Sequence, residues 1–459
     1  MSCSDFLFFQ KGADFFVYDK KSAYLYPIDN LHYEIGKAIQ SAYKHNQTIL
    51  DIQHFIQSIS NIAPSIVEDH YRFIVTLLSE RANNLVRHSI SKHDIIKSIS
   101  VVPHIVVEVT EKCNFLCRYC YYGEMYDTIS ESQTRCNDMP EDDCLICLRE
   151  ILSQKDLLYS NRSVISFYGG EPFLNFRLIR TIVLFCKEKF PYIDFQFRTT
   201  TNGSLLRRHI DFLVEHDFHL LVSLDGDRQS NTHRRYYSGH QAFTTVKQNV
   251  DYIYQEHREY FVNNIEFISV LHGNSDIVSI CRFFSKYGKT PILTNISSEG
   301  IVADKQVVFP YPGVSPQEMQ VLFETNRSVY DLIKGASKGA VSINIPLSDN
   351  DNPIMRGCYL FANKIFLSAD GQIYLCEKSS RKYPFGSFAN GMMQFYYKEI
   401  NRYYDDFDKV VNSSCSHCSL YYSCDRCFFE GPSQMTPPIK CKLSNFEMKK
   451  NLIRSIEHE

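Results

Sequence analysis

The chain is 459 residues long and carries 49 Lys and Arg against 52 Asp and Glu, a formal net charge of −3. That length suggests about three compact units, and the near-neutral balance gives no global pull toward nucleic acid or an anionic membrane, which disfavours a dedicated nucleic-acid binder. Hydrophobic residues at 44% and charged residues at 22% exclude a disordered chain. No apolar stretch approaches the roughly 18 residues needed to cross a bilayer. The opening MSCSDFLFFQ has an Asp before its short apolar patch and no basic leader, so it does not read as a secretion signal, and a cytoplasmic protein is expected.

The first predicted elements come from FLFFQKGADFFVYDKKSAYLYPID, which supplies two or three short aromatic strands separated by turn residues. Apolar residues spaced three and four apart then predict helices over 31–43, 50–59 and 67–85, with breaks at Asn46 and Pro64. Residues 1–100 therefore read as a small α+β module. From 104 to 295, six apolar runs alternate with helical stretches: HIVVEVT from His104, VISFYGG from Val164, FQFRTT from Phe195, LLVSLDG from Leu220, IEFISV from Ile265 and PILTN from Pro291. Such alternation calls for parallel strands, in an α/β barrel or an open sheet whose chemistry sits on loops at the strand C-termini, over 101–300. Residues 301–350, with the FPYPGVSP patch and one helix, form a bridge. The stretch 351–459 is short in its elements, turn-rich and cysteine-rich, and too poor in apolar residues to be held by core burial alone, so metal is expected to stabilise it. No internal repeat or low-complexity tract is present.

Cysteine is the informative count. Sixteen cysteines without an export signal do not suggest a disulfide framework. Seven of them (Cys358, Cys376, Cys415, Cys418, Cys424, Cys427, Cys441) lie in the last 102 residues, and Cys113, Cys117 and Cys120 fall within eight positions of one another, which argues for metal. The CxxxCxxC triplet follows the first strand of the parallel run, where a loop can turn three thiolates toward one point. Four thiolates close an iron-sulfur cube, so three leave one iron open for a ligand. A cysteine-rich core turn or a zinc site are the alternatives, although zinc usually has paired CxxC or Cys/His spacings.

With Tyr119 at its aromatic position, the triplet resembles the radical S-adenosylmethionine (radical SAM) superfamily signature CxxxCxφC. The resemblance implies a partial (β/α)6 TIM-like barrel and a 4Fe-4S cluster whose open iron chelates S-adenosylmethionine and, when reduced, cleaves it to a 5′-deoxyadenosyl radical. Gly169, Gly170, Glu171 and Pro172 match the family's GGEP motif at the second strand end: the glycines would let backbone approach a ligand, and Glu171 would pair with the cofactor ammonium group. Thr201, Asn202 and Gly203, then Ser223, Leu224, Asp225 and Gly226, resemble the TNG and SLDG segments. Asn202, Ser223 and Asp225 would bond the ribose, although Asn-Gly and Asp-Gly are also turn chemistry.

The C-terminal cysteines resemble the SPASM extension, which implies two auxiliary 4Fe-4S clusters, three clusters in all. By position Cys415, Cys418, Cys424 and Cys441 would complete one, while Cys358, Cys376 and Cys427 would hold the other. The gap between Cys424 and Cys427 is two residues where the family usually has three. No fourth cysteine stands just upstream of Cys358, so an open iron able to bind a substrate thiolate or water is expected, unless Cys281 fills the place; a zinc ribbon is the alternative for the whole set. Glu377, directly after Cys376, sits where sulfatase-maturing relatives place a proton-accepting carboxylate, and it also reads as a solvated hairpin charge. Cys144 and Cys147 form a CxxC inside a helical pattern and read as buried small hydrophobes. The histidines show no metal spacing.

The resemblance spans about 104–459. The N-terminal module is similar in architecture to the leader-peptide recognition element of peptide-modifying enzymes, which adds a leader as an extra strand. Together these imply a maturase acting on a ribosomally made precursor peptide and forming a thioether or carbon-carbon crosslink, fed by an electron donor such as flavodoxin or ferredoxin, with no nucleic-acid or membrane partner. Oxidation of Cys or Ser to formylglycine, and a non-enzymatic metal-binding scaffold that delivers peptide, are the alternatives.

Overall fold

The computed structural model describes residues 6–19, 24–44, 89–120, 122–123, 136–296, 306, 308–309, 311–326, 359–377, 379, 381 and 383–414. The helices expected over 50–59 and 67–85, and Cys358, Cys415, Cys418, Cys424, Cys427 and Cys441, lie outside the described residues.

At the N-terminus, β1 (Phe6–Lys11), β2 (Asp14–Asp19) and β3 (Tyr24–Ile28) form an antiparallel sheet in that order, followed by α1 (Asn30–Lys44). Its aromatic residues are packing groups: Phe9 stacks on Phe16 at 5.5 Å and Phe15 meets Tyr33 of α1 at 5.0 Å. Gly36 lies directly against the Phe8 ring, so α1 closes on β1 only because no Cβ stands there. With β2 in the middle, β1 and β3 each keep one edge without a strand partner among the described residues.

After α2 (Lys92–Val101), six strands run parallel and in chain order: β4 (His104–Thr110), β5 (Arg162–Gly169), β6 (Asp194–Thr201), β7 (His219–Ser223), β8 (Ile265–Leu271) and β9 (Ile292–Asn295). The crossovers contain α3 (Glu141–Ser153), α4 (Phe176–Lys189), α5 (Leu206–Glu215), α6 (Phe243–Glu256), α7 (Arg258–Asn264) and α8 (Ile277–Ser285). Each expected run is a strand, with bounds within two residues of the sequence reading except for β7, which ends at Ser223 and leaves the Asp-Gly to a loop.

Alternation along the strands separates two faces. Ile105, Val107, Val109, Ile165, Phe167 and Phe197 point to the helices and join one large core with α3 and α4. On the other face Val106 packs with Tyr168, Phe366 and Tyr374, and beside them stand His104, Glu108, Ser166, Gln196 and Arg198. A polar inner face on a parallel sheet is unusual for a purely structural layer, because such sheets ordinarily bury both faces against apolar side chains.

Over residues 359–414 the C-terminal part has more core burial than the sequence reading allowed. After α9 (Pro316–Thr325), the one helix expected in the bridge, β10 (Ile365–Leu367) pairs parallel with β4, and β11 (Gln372–Tyr374), β12 (Gly386–Ala389) and β13 (Met392–Phe395) continue antiparallel to make a ten-stranded sheet. Leu360, Phe361, Ile365, Leu367, Ile373, Phe385 and Phe388 are buried in the main core, joined by Ile400, Tyr403 and Tyr404 of α10 (Tyr397–Ser414). Residues 359–414 are therefore held by apolar burial and main-chain pairing. The region looked too poor in apolar residues only because its strands are three or four residues long and borrow their partner from 260 positions upstream.

Candidate functional site

The cysteine triplet sits on the loop leaving β4, and hydrogen bonds on both sides hold that loop. Thr110 Oγ1 donates to Asp138 Oδ1 at 2.6 Å and accepts from the Lys112 amide at 3.2 Å, while Lys112 Nζ reaches the other Asp138 oxygen at 2.6 Å. On the far side the Leu116 amide donates to the Arg235 carbonyl at 2.7 Å and the Arg118 amide to the His233 carbonyl at 3.1 Å. A tight turn follows, with the Cys120 amide bonded to the Cys117 carbonyl at 3.1 Å and the Gly123 amide to the Cys120 carbonyl at 2.8 Å.

All three thiols are half-buried. Burial pushes the Cys113 thiol up to about 11 and Cys117 up to about 12, and the charges of the three cysteines act on one another in the same direction. Thiols that burial and repulsion keep protonated are suited to a cation, which converts them to thiolates by supplying the missing charge. Among the described residues no group of three His, Cys, Asp or Glu side chains is placed to hold a metal ion. By donor chemistry, three thiols on one loop suit a thiolate-held iron-sulfur cluster, for which Cys113, Cys117 and Cys120 would be the ligands. The Phe115 amide already points at Cys113 Sγ from 3.4 Å, the kind of contact that supports a cluster sulfur.

The GGEP glycines serve the protein's own backbone. A Cβ on Gly169 would collide with the Thr110 carbonyl, and one on Gly170 with the Lys112 carbonyl. That close approach lets the Gly170 amide bond Thr110 at 3.1 Å and the Glu171 amide bond Lys112 at 2.8 Å. Glu171 is fully buried, and its carboxylate accepts from the Phe173 amide at 3.2 Å, Thr201 Oγ1 at 2.8 Å and the Asn202 amide at 2.7 Å. It ties the end of β5 to the end of β6. Burial lifts its carboxyl to about 7 although all three hydrogen bonds pull the other way. Pro172 is buried at the start of the 3-10 turn Pro172–Asn175.

Asn202 is committed as well: its amide nitrogen donates to Asn114 Oδ1 at 2.8 Å, and its oxygen accepts from the Ser204 amide at 3.0 Å and Ser204 Oγ at 2.7 Å. Asp225 is fully buried, pairing through Oδ1 with Arg234 at 3.0 Å and the Val270 amide at 3.0 Å while Oδ2 accepts from the Tyr119 hydroxyl. Of the polar residues expected to meet the ribose, half-buried Ser223 alone makes no side-chain hydrogen bond to the described residues.

Cys376 is half-buried and its thiol lies 3.4 Å from Ser379 Oγ. The Glu377 carboxylate is neither free nor fully solvated, since Lys364 Nζ bonds both oxygens at 3.1 and 3.2 Å. Around that pair stands a group not singled out in the sequence. His104 Nε2 lies 2.6 Å from Ser166 Oγ, and burial, with Lys364 and Arg198 adding to it against Glu377, lowers the imidazole to about 4. Tyr122 OH reaches from the cysteine loop to the Glu377 carbonyl at 3.4 Å. Strand alternation applied to β4–β6 is the signal that finds His104, Ser166 and Arg198. Cys144 and Cys147 are buried on α3, and Cys281 is buried on α8, its thiol pushed up to about 12 by burial. His233 and His272, far apart in sequence, meet edge to face at 4.5 Å beside Tyr119.

Residues 107–278 match the family model of the Radical SAM superfamily, and this part of the chain is a radical SAM domain. Over 423 residues the chain is 21% identical to the radical SAM cyclopropyl synthase TigE of Paramaledivibacter caminithermalis, covering 86% of this chain and 82% of that protein. Over 137 residues it is 31% identical to an uncharacterized protein of Methanocaldococcus jannaschii, a match spanning 30% of this chain and less than half, 43%, of the relative. Among solved structures, anSMEcpe with bound AdoMet and Kp18Cys peptide aligns with a TM-score of 0.51 at 15% identity, over 77% of this chain and 96% of its own, a likeness of fold. Streptococcus suis SuiB bound to S-adenosylmethionine aligns with a TM-score of 0.47 at 16% identity, over 96% of this chain and 99% of that one. No described helix is long and apolar enough to cross a membrane.

Proposed function

We propose that this radical SAM enzyme matures a ribosomally made precursor peptide by removing a substrate hydrogen and closing an intramolecular bond, with carbon-carbon closure favoured over a thioether. The observation that carries the reading is the placement of three half-buried thiols on the loop leaving the C-terminal end of β4, with Tyr122 of that loop reaching the Glu377 carbonyl on an inner sheet face that also carries His104, Ser166, Arg198 and Lys364. Support for the bond type comes from the match to a cyclopropyl synthase along most of the chain, since a cyclopropyl ring is closed through carbon.

A reduced four-iron cluster with S-adenosylmethionine, held by Cys113, Cys117 and Cys120, would supply a 5′-deoxyadenosyl radical able to take an unactivated hydrogen. The chain's own residues do the rest. Glu171 and Asn202 lock the ends of β5 and β6 to the cysteine loop, and Ser223 offers a hydroxyl free to orient the ribose. Tyr122 links the cysteine loop to the Glu377 carbonyl. Closure of a ring releases a proton, which Glu377 beside Lys364, or neutral His104 on Ser166, would receive. Cys376, with Cys358 and Cys427, would hold an auxiliary cluster able to accept the second electron of ring closure. The edges of β1 and β3, which have no strand partner among the described residues, suit addition of a leader strand.

Anaerobically reconstituted protein, a low-potential one-electron donor, S-adenosylmethionine and a candidate precursor peptide give the test. The expected result is 5′-deoxyadenosine together with a product that has lost two hydrogens and resists fragmentation inside the ring. A carbonyl-bearing product without a ring would establish formylglycine-type oxidation instead. No 5′-deoxyadenosine would leave a peptide-delivery scaffold as the reading.

A further inference from the structure

The segment 233–236 runs antiparallel beside the cysteine loop. Phe115 bridges Tyr236, and the amides of Leu116 and Arg118 bond the carbonyls of Arg235 and His233, which sets Arg234 directly across from Cys117. Arg234 is buried; one nitrogen of its guanidinium is 3.0 Å from Asp225 Oδ1, and the group lies 5.4 Å over the centre of the Tyr119 ring. Tyr119 in turn donates its hydroxyl to the second Asp225 oxygen, so the aromatic residue of the cysteine motif, the carboxylate and the guanidinium form one closed unit. Arg234 Nε, also buried, has no partner in the described structure. The neighbouring Arg235 turns away and donates to the Thr232 carbonyl at 2.8 Å.

Main-chain register holds the buried guanidinium opposite Cys117, on the side of the cysteine loop. A fixed cation in a low-dielectric layer favours whichever neighbouring state carries more negative charge.

We propose that Arg234 is the built-in counter-charge of the cluster held by Cys113, Cys117 and Cys120: a positioning residue, fixed by Asp225 and Tyr119, that biases this cluster toward its reduced state. The electron enters from a low-potential one-electron donor, which is oxidised by one electron as the cluster is reduced by one; no bond in Arg234 changes. The inference rests on the cluster assignment made above and adds the residue that sets its potential.

The test is a potentiometric titration of the reconstituted full-length protein, with iron and sulfide counted and the paramagnetic signal that responds to S-adenosylmethionine followed. R234Q should lower the midpoint so that the reduced-to-oxidised ratio at a fixed potential falls about tenfold, equivalent to about 59 mV for one electron. D225N, which leaves the guanidinium uncompensated, should move the midpoint upward, and R234K should fall between the parent protein and R234Q. A fully loaded R234Q or D225N with an unmoved or oppositely moved midpoint overturns the proposal. Should R234Q not fold, D225N decides by the same criterion. Parent protein that takes up no iron, or iron bound equally well after alanine replaces all three cysteines, defeats the cluster assignment itself and is read separately.

Discussion

Among the described residues two arginine-carboxylate pairs have a fully buried carboxylate, and they serve different ends. Asp225 and Arg234 are nine positions apart, lie within the radical SAM domain and flank the cysteine loop. Glu108 and Arg381 are 273 positions apart: Arg381 bonds both Glu108 oxygens at 3.0 Å and lies 4.8 Å over Phe366 and 5.0 Å over Tyr374. The Ala369 amide adds a bond to Glu108 at 3.1 Å. The first pair places a charge beside prospective cluster ligands. The second fastens β10 and β11 to β4 and so carries the C-terminal extension on the same sheet as the site. Chemistry that looks identical in a list of ion pairs is thus electrostatic tuning in one place and attachment in the other.

The largest expected effect separates those roles. Replacing Arg381 with Met leaves Glu108 buried without its guanidinium, a change that costs about 3–5 kcal/mol. Denaturant unfolding of the apoprotein should show that loss, and E108Q/R381M should recover much of it. If R381M instead shifted the cluster midpoint as R234Q is expected to, with stability unchanged, the division between the pairs would be wrong.

Glu171 sharpens the comparison because it is a buried carboxyl with hydrogen bonds and no cation. Its folded-state value of about 7, against an ordinary 4.5, means that the folded chain holds the proton more tightly than the unfolded one. The associated stability is complete below about pH 4.5 and is lost as pH rises through about 7, amounting to about 3 kcal/mol. Relative to E171Q, the parent protein should therefore weaken between pH 5 and pH 8. A difference in unfolding free energy that stays flat across that range would show that the three hydrogen bonds, not burial, govern the carboxyl.

A smaller effect, about 1–3 kcal/mol, is expected for Gly170→Ala, where a methyl meets the Lys112 carbonyl. The strain falls on the cysteine loop rather than on the C-terminal extension, so reconstituted G170A should retain less iron than R381M. Equal retention would mean that the loop yields without disturbing its thiols.

What could be read from sequence follows the range of the interaction. HIVVEVT announces β4 to the residue because β-branched runs of that length fit a strand buried on both faces, and the triplet announces itself by spacing. Asp225 was visible in SLDG, but the partner that gives it meaning, Arg234, sits in THRRYY with nothing to distinguish it from Arg235 except the register of an antiparallel contact with the cysteine loop. Glu108 and Arg381 were not legible at all, since a charged residue inside a strand run finds its partner only after β10 docks 260 positions later. The glycines of GGEP were visible, but the Thr110 and Lys112 carbonyls that they accommodate are neighbours that spacing cannot name.

The smallest expected effect concerns the third pair, Lys364 and Glu377, whose side chains keep 29% and 21% of their exposure. Water competes for such a pair, so Glu377→Gln should change stability by at most about 1 kcal/mol. That mildness makes the substitution a clean probe of chemistry. If Glu377 receives the proton of ring closure, E377Q should still generate 5′-deoxyadenosine while crosslinked peptide falls steeply, and H104Q should leave the product yield near that of the parent. If product survives in E377Q and falls in H104Q, the imidazole on Ser166 is the acceptor, and Lys364 and Glu377 only shape the field around it. Retention in both variants would place the proton acceptor outside this inner face, on the substrate or on solvent.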